Sequence, residues 1–568
     1  MVLCAAFLMA APALAAQDLL EREALREALR LEPRASSGGP IPVPLPERSE
    51  RSASASAARE LASIARSRHP ERVLVGVSRH ADLPGLTRAL ERLGARPEPF
   101  ATFGVIAADA PSGAALARAL RGDPRVAYVE REGELRLATD PLDVPDPEHA
   151  NLKYTWFYDD VRAADALAAA GGGSRRTIAV MDTGLDLSHP EFAGRVARSF
   201  DTFSGGSTVT DTVGHGTFVT GLIVAIDGNG IGGKGVAGRT RVLAIRGSRD
   251  GGFGERALLR GIDFALRHGA DVLNMSLAGD GINRSVVRAL GAAFYNDVLP
   301  VAASGNLGLD GNPVQFPAAV LGGRRGAPGI GLSVAATKPN GTVAPFSTHN
   351  EYVSLAAPGA GALGCEFGVL STLPAAGGTE WDVPESCSRL VPNGGVRFAY
   401  GEGTSFSAPI VSGIAALTWQ VERRLASEQV AEVLQRSARQ TRGTGWNRFT
   451  GTGIVDGKAA TDLARTYDVT PPRVRGTVWR DGSRAVTARV KRTRDRTESG
   501  RELAGSISYG LLVSRNGGHS FSVVTSRRRR PFERTVRLRG SRVNVVVATA
   551  CDGNGNCGVR RLGRYRVR

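Results

Sequence analysis

Three short segments of this chain carry the residue types of an activated hydroxyl nucleophile. Gly403-Thr404-Ser405-Phe406-Ser407-Ala408-Pro409 sets a serine at the mouth of a long apolar run. Met181-Asp182-Thr183-Gly184 ends an earlier hydrophobic run, and Gly214-His215-Gly216-Thr217 precedes another. A serine hydroxyl is a poor nucleophile until an imidazole accepts its proton, and the imidazole works best when a buried carboxylate fixes its tautomer. Asp182, His215 and Ser405 are therefore the candidate catalytic residues. Attack on an acyl carbon makes the carbonyl oxygen negative, so hydrogen-bond donors must also be aimed at it. Asn306, on a Gly-Asn turn after the apolar run Val298 to Ala303, can supply its side-chain amide, and Ser405 its backbone N–H. Taken singly, an Asp at a turn or a lone His is more often structural than catalytic. Context changes that weighting: of eight histidines, only His215 sits in Gly-His-Gly-Thr with apolar residues following.

The elements that must hold these residues lie beside them. Thr177-Ile178-Ala179-Val180-Met181 suits a buried strand of a parallel sheet, and strand C-terminal ends are where such folds place their sites. Ala408 to Val411 and Gly413 to Leu417 are apolar almost all round, which predicts a buried helix with proline tolerated in its first turn. The positive end of that helix would face the developing oxyanion. The order Asp, His, Ser separates this arrangement from the other well-known serine-hydrolase orders.

In that order the segments resemble the subtilisin-like serine proteases, the subtilase family, and the likeness runs from about Pro145 to Asp468. Asp271 to Gly279 resembles the family's substrate-binding strand and turn, and Ala303-Ser304-Gly305-Asn306 resembles the segment bearing its oxyanion-hole asparagine. The resemblance implies an α/β fold with a subtilisin-like parallel-sheet catalytic domain over 145–468, and a serine endopeptidase acting on polypeptides through an acyl-enzyme. No cofactor is required for that chemistry. It further implies that Ser276, Leu277 and Ala278 together with Ala303, Ser304 and Gly305 flank the pocket for the side chain before the cleaved bond. Gly251, Gly252 and Phe253 would be the edge strand that pairs with extended substrate, a mode that recognises backbone, so broad specificity is expected. Phe253 departs from the family's small residue there and is expected to narrow an outer pocket. His189, beside Pro190, resembles a structural position rather than the base. Gly228 to Gly235 nearly spells a phosphate-binding loop, but Gly235 stands where Ser or Thr must bind the metal, which argues against a nucleotide. The stretch instead resembles the family's calcium loop, with Glu191 and Asn229 at two side-chain ligand positions for a structural calcium. The alternative is an empty glycine-rich loop.

A chain of 568 residues implies about two to four domains. Met1 to Ala16 is apolar and small, with Ala13-Leu14-Ala15 suited to signal peptidase, and reads as a secretory signal. No later run approaches the length of a membrane span. Secretion to the extracellular space, as a monomer, is the expectation. Cys4 would leave with the signal, and the other cysteines form two close pairs, Cys365 with Cys387 and Cys551 with Cys557. An even count fits disulfides in an oxidising compartment, and the lack of Cys-x-x-Cys spacing argues against a thiol or zinc site. Residues 17–70 read as an amphipathic helix followed by a flexible linker rich in Ser, Pro, Gly and Arg. Residues 71–136 show a β-α-β-α-β pattern, with a further strand near Pro97 to Phe103. In this place the pattern resembles the subtilase inhibitor propeptide, a small α+β domain, against the alternative of an independent α/β domain. The resemblance implies a self-processing zymogen whose tail occupies the cleft as an intramolecular inhibitor and is cut between about Gly133 and Pro145.

Beyond Asp468 the composition changes. From Thr470 to Arg568 there are 24 Lys and Arg against 6 Asp and Glu, a balance of +18 within a chain of +17, so the preceding residues net −1. Short strands such as Ser506 to Val513, Phe521 to Val524 and Val543 to Ala548, separated by Gly, Asn and Asp turns, predict an all-β sandwich resembling immunoglobulin-like or fibronectin-like modules. Such charge favours an anionic polymer as partner, with Arg527 to Arg530 as a contact loop. A soluble basic spacer is the bland alternative. A second reading of the whole chain is a catalytically silent subtilase-like module that binds a surface polymer through this domain, and a third is a narrow processing protease.

Overall fold

The computed structural model describes residues 70–137, 156–229, 231–361, 368–375, 388–390, 396–441, 443–470, 472–492, 507–515, 522–528, 532–538, 543–552 and 556–566. They belong to two compact units, one within 42–466 and one within 467–568. The signal at 1–16, nearly all of 17–70, both Cys365 and Cys387, and Arg529 with Arg530 lie outside the described residues.

The first unit begins with β1 (Glu71–Val77), α1 (Leu83–Arg92), β2 (Arg96–Phe100), β3 (Val105–Ala110), α2 (Gly113–Ala119) and β4 (Val126–Arg131). The further strand expected near Pro97 is β2. The four strands form one antiparallel sheet in the order β2-β3-β1-β4. Successive strand residues point to opposite faces. Val73, Val75 and Val77 accordingly pack with Leu86, Leu90 and Leu116 of the helices, while Leu74 joins a separate apolar cluster with Phe100, Phe103, Leu258 and Leu259. A strand that is apolar on both faces needs cover on both, and the second cover is the body of the unit. A short fifth strand, β5 (Glu134–Leu137), follows.

That body is built on seven parallel strands. They are β6 (Thr177–Asp182), β7 (Val196–Asp201), β8 (Arg241–Arg246), β10 (Val272–Met275), β12 (Leu299–Ala303), β13 (Leu332–Thr337) and β14 (Leu355–Pro358). Between them lie two short strands outside this sheet, β9 (Gly252–Gly254) and β11 (Leu277–Ala278). The order is β14-β13-β12-β10-β6-β8-β7, with every pairing parallel. All residues of β10, β12, β13 and β14 are buried, as expected where helices cover both faces. The chain runs to one side of β6 for β7 and β8 and to the other for β10 onward. This reversal makes the C-terminal end of β6 a switch point, the place where open α/β sheets bind ligands.

Four helices bear on the site: α3 (His215–Val224), α4 (Glu255–Arg267), α5 (Arg284–Tyr295) and α6 (Thr404–Val421). Every residue of α6 from Thr404 to Trp419 is buried. Its Pro409 lies in the second turn, not the first. A proline there removes the N–H that would bond the carbonyl four residues earlier, that of Ser405. The Ser276 hydroxyl supplies the missing donor, at 2.6 Å from Ser405 O.

The second unit holds two antiparallel sheets. One orders Arg475–Arg480, Ala485–Lys491 and Phe532–Arg537; the other orders Ser522–Arg528, Ser508–Ser514, Asn544–Cys551 and Cys557–Tyr565. Val486, Val490 and Val536 of the first pack with Tyr509, Leu511, Val513 and Val546 of the second, the interior of a sandwich. Cys551 is disulfide-bonded, and the strand register sets Cys557 directly opposite it.

Candidate active site

Asp182 closes β6 and His215 opens α3. His215 Nδ1 lies 2.7 Å from Asp182 Oδ1, and both side chains are buried. A carboxylate can only accept, so Nδ1 carries the proton and Nε2 is left as the basic nitrogen. Asp182 Oδ1 also accepts the Thr183 N–H at 2.8 Å. The glycine in Gly-His-Gly-Thr has a steric reason: a Cβ on Gly216 would run into the Gly184 carbonyl and sit 3.2 Å from Asp182 Cβ. Only glycine lets α3 come down onto the turn that ends β6.

A second buried carboxylate locks this approach. Asp211 accepts four hydrogen bonds: from the Thr183 hydroxyl at 2.8 Å, Gly214 N at 2.8 Å, Thr217 N at 2.8 Å and the Thr217 hydroxyl at 2.7 Å. It thus caps the exposed N–H groups of α3 and ties them to the residue after Asp182. The sequence reading passed over Asp211. An Asp shortly before a predicted helix is the signal that could have found it.

Ser405 lies in the first turn of α6, and its hydroxyl donates to the Ser276 carbonyl at 3.1 Å. Ser276 is held in turn by Asn274 Nδ2 at 3.1 Å, and Asn274 Oδ1 accepts the Ser412 hydroxyl at 2.9 Å. The next residue, Phe406, packs its ring at a tilt 5.6 Å from that of His215 and 4.4 Å from that of Phe218, joining the serine helix to the histidine helix.

Asn306 stands between the end of β12 and the start of α6. Its Oδ1 accepts both the Thr404 N–H at 3.0 Å and the Thr404 hydroxyl at 2.8 Å, while Thr404 Oγ1 accepts Gly305 N at 3.1 Å. With the oxygen end anchored, the amide has one orientation. Nδ2 is buried and has no hydrogen-bond partner among the described residues. A donor held without an acceptor is what an oxyanion site requires. Thr404, which sets that orientation, is a further residue that the motif reading passed over.

The segments expected to pair with substrate form two short strands, β9 and β11, and a third strand lies between them. β5 pairs antiparallel with β11 (Leu137 opposite Leu277, Arg136 opposite Ala278) and with β9 (Glu134 opposite Gly254, Leu135 opposite Phe253, Arg136 opposite Gly252). Gly251 precedes β9 and accepts Leu137 N at 3.1 Å. Leu135 is 1 % exposed and shares one apolar cluster with Phe253 and Leu277. Phe253, expected to narrow an outer pocket, is wholly buried, its ring edge close to Gly247. Ala303 ends β12, the Ser304 hydroxyl is held by Thr348 O at 2.9 Å, and Gly305 leads into Asn306.

Residues 70–137 meet the body through carboxylates. Glu98 forms two 2.6 Å bonds with Arg260, and Asp109 pairs with Arg256 at 2.7 Å. In the other direction, Glu255 accepts Gly133 N at 2.8 Å, Asn283 N at 2.7 Å and Asn283 Nδ2 at 2.6 Å. Burial pushes the Glu255 carboxyl above its ordinary range, and these donors partly offset the shift.

Glu191 and Asn229 do come together, but not as a cation shell. The buried Glu191 carboxylate accepts Ile226 N at 2.7 Å, Gly233 N at 2.9 Å and Asn229 Nδ2 at 3.1 Å, and Asn229 Oδ1 accepts Ile231 N at 3.0 Å. The oxygens that calcium would need are engaged by N–H groups, so the residues as arranged do not fit the ion. His189 is buried between Phe192 and Phe398 and accepts Glu191 N, and burial lowers its pKa.

Against known proteins, residues 173–453 match the model of the subtilase family, peptidase S8. The chain is 30% identical to M-protease of Shouchella clausii over 344 residues, 60% of this chain and 76% of that protein. It is 28% identical to the minor extracellular protease Epr of Bacillus subtilis over 355 residues, 61% of this chain and 48% of that protein. With fervidolysin of Fervidobacterium pennivorans it shares 31% identity over 322 residues, 54% of this chain but 43% of the relative's length. The crystal structure of fervidolysin, described as a keratinolytic enzyme related to subtilisin, matches with a TM-score of 0.57 at 20% identity, covering 88% of this chain and 92% of that one, a likeness of fold. The family model covers the stretch that bears the switch-point sheet and its polar residues, and with M-protease matched over three quarters of its length the chain belongs to the subtilase family.

Proposed function

We propose that this chain is a secreted serine endopeptidase, made as a zymogen that processes itself. Ser405 is the nucleophile, His215 the base that takes its proton, and Asp182 the carboxylate that orients His215 and stabilises the imidazolium. The Asn306 amide and the Ser405 N–H receive the oxyanion, and the leaving amine takes its proton from His215. Water then repeats the sequence on the acyl-enzyme. Polypeptide enters as an added strand between β9 and β11. Residues 71–136 act as the inhibitory propeptide, with removal between about Gly133 and Pro145.

One observation carries this reading: the chain's own upstream segment lies as an extended strand between β9 and β11, the segments expected to pair with substrate, and β11 follows directly on Ser276, whose carbonyl accepts the Ser405 hydroxyl. Secretion rests on the leader-like Met1 to Ala16 and on the disulfide at Cys551; among the described residues no helix is long and apolar enough to cross a membrane. For residues 470–568, the charge and the exposed Trp479, with the Arg489 guanidinium 5.5 Å from its ring, support an anionic polymer as partner. The test is fluorophosphonate labelling of purified wild-type protein beside Ser405→Ala. Labelling of the wild type only, with a propeptide-sized loss of mass, is expected. A processed wild type that takes no label would overturn the reading.

A further inference from the structure

We infer that the outward face of the three-stranded sheet over Arg475–Arg480, Ala485–Lys491 and Phe532–Arg537 binds an acidic polysaccharide, one in which carboxylated and neutral sugars alternate. This rests on the anionic-polymer reading of residues 470–568 and narrows it to one face and one class of polymer.

Strand alternation fixes which residues make the face. Val486, Val490 and Val536 point into the sandwich and Val478 packs against them, so the odd-numbered residues of all three strands point outward. The register then sets Arg475 opposite Lys491, Arg489 opposite Glu533, and Thr487 between Trp479 and Thr535. Arg537 lies one rung further along, opposite Ala485. From Lys491 to Ala485 the middle strand runs about 20 Å, which is the span between the two basic ends of the face.

The chemistry changes along that span. Arg475, Lys491 and Arg537 are exposed and enter no ion pair among the described residues, so both ends attract anions. The middle is mixed. Glu533 holds Arg489 at 2.7 Å, and the Thr487 hydroxyl lies 3.2 Å from Asp481 Oδ2 and 2.9 Å from the Thr535 hydroxyl. Among the described residues of this unit, Trp479 is the one large apolar side chain left strongly exposed, at 40 %.

A polynucleotide carries a phosphate at every step and would press some of them on Asp481 and Glu533, a like-charge contact that costs binding. A sugar answers each feature in turn. Its apolar ring face lies on the indole, its hydroxyls donate to the two carboxylates, and the acid of the neighbouring sugar meets a cation. An acid on every sugar would again crowd the carboxylates, and alternation avoids that.

The experiment titrates the full-length Ser405→Ala chain, which cannot digest itself, with hyaluronan, dextran and an oligothymidylate at one fixed salt concentration. Hyaluronan supplies alternating acidic and neutral sugars, dextran only neutral ones. Binding of hyaluronan about tenfold or more tighter than of either other polymer is expected. Trp479→Ala should weaken it about tenfold, as should Arg475→Ala with Lys491→Ala, while Trp479→Phe keeps most of the affinity. Thermal unfolding of each variant checks that the sandwich is intact. Tighter binding of the oligothymidylate would overturn this inference and leave the anionic-polymer reading standing. Dextran bound as well as hyaluronan would overturn the role of the cations, and hyaluronan binding untouched by the variants would move the site off this face. If neither anionic polymer bound, the reading of residues 470–568 would fall with the inference, whereas the protease reading, tested by labelling, would not.

Discussion

Four helix N-termini in this molecule solve the same problem in two ways. Each helix begins with N–H groups that have no partner within it, and each such end favours a negative acceptor. At α3 and α6 the acceptors come from the catalytic body: Asp211 takes Gly214 N and Thr217 N, and Asn306 takes Thr404 N. At α4 and α5 they come from the segment upstream. Glu132 Oε1 accepts Arg256 N at 3.0 Å, and Glu130 accepts Arg284 N at 3.2 Å and Ser285 N at 2.8 Å, while neither Gly254 nor Asn283 supplies a side-chain cap of its own. The site that would do chemistry is thus internally complete. The face that carries residues 70–137 has borrowed its caps, and under the zymogen reading water replaces them once that segment departs. A permanent site and a temporary dock differ in who owns the acceptor.

The strongest way to break the comparison is at the internally complete end. Asn306→Ala is expected to lower kcat by about 100- to 1000-fold with little change in KM, because the lost donor acts on the oxyanion and not on bound substrate. Thr404→Val, which keeps the shape but removes the hydroxyl that anchors Asn306, should cost less, about tenfold, in the same parameter. If both variants raised KM at constant kcat, Asn306 would be a binding group instead.

Asp211→Asn replaces an acceptor of four hydrogen bonds with a group that must turn a donor toward N–H groups. A loss of about 2–3 kcal/mol in unfolding free energy is expected, read by denaturant titration of the Ser405→Ala protein. At the borrowed end the effects are smaller and kinetic. Glu130→Gln with Glu132→Gln should shorten the lag before proteolytic activity appears by about tenfold, each cap being worth roughly 1 kcal/mol or less. The mature enzyme has lost both residues and should be identical to that from the wild-type chain, and a lag left unchanged by the pair would mean that these caps do not hold the segment.

The smallest effect is one of pH. Burial lowers the pKa of His189 from its ordinary 6.5, so the unfolded chain takes up a proton there before the folded one does. Its contribution is fully present above about pH 6.5, erodes as pH falls through that value, and levels off once the lowered folded value is passed. His189→Gln should flatten that part of the stability profile.

Much of this was legible in the sequence for a physical reason. The polar residues of the site sit at the ends of apolar runs, and the runs announce a buried strand at Thr177 and a buried helix after Ser405 because burial on all sides leaves no polar face to interrupt them. The continuous apolar run Val73 to Val77 and the charge step at Thr470 are equally local signals. Pro409 was placed a turn too early because apolar composition marks a helix but not its first residue. The Glu191 and Asn229 pairing was legible as a contact but not as chemistry, since N–H groups from Ile226 and Gly233 that claim the carboxylate have no signature in residue type.

By itself, the sequence determined which residues could take part: the Asp, His, Ser and Asn of the site, the strands and helices that end in them, and the segregation of basic charge to the last hundred or so residues. What only the tertiary structure decided is direction and ownership. That the Asn306 amide is turned with its oxygen to Thr404, that Asp211 closes the gap between β6 and α3, and that Leu135 to Leu137 thread between β9 and β11 all depend on backbone groups distant in sequence. Backbone N–H and C=O groups are the same in every residue, so no pattern of side chains records which of them will meet.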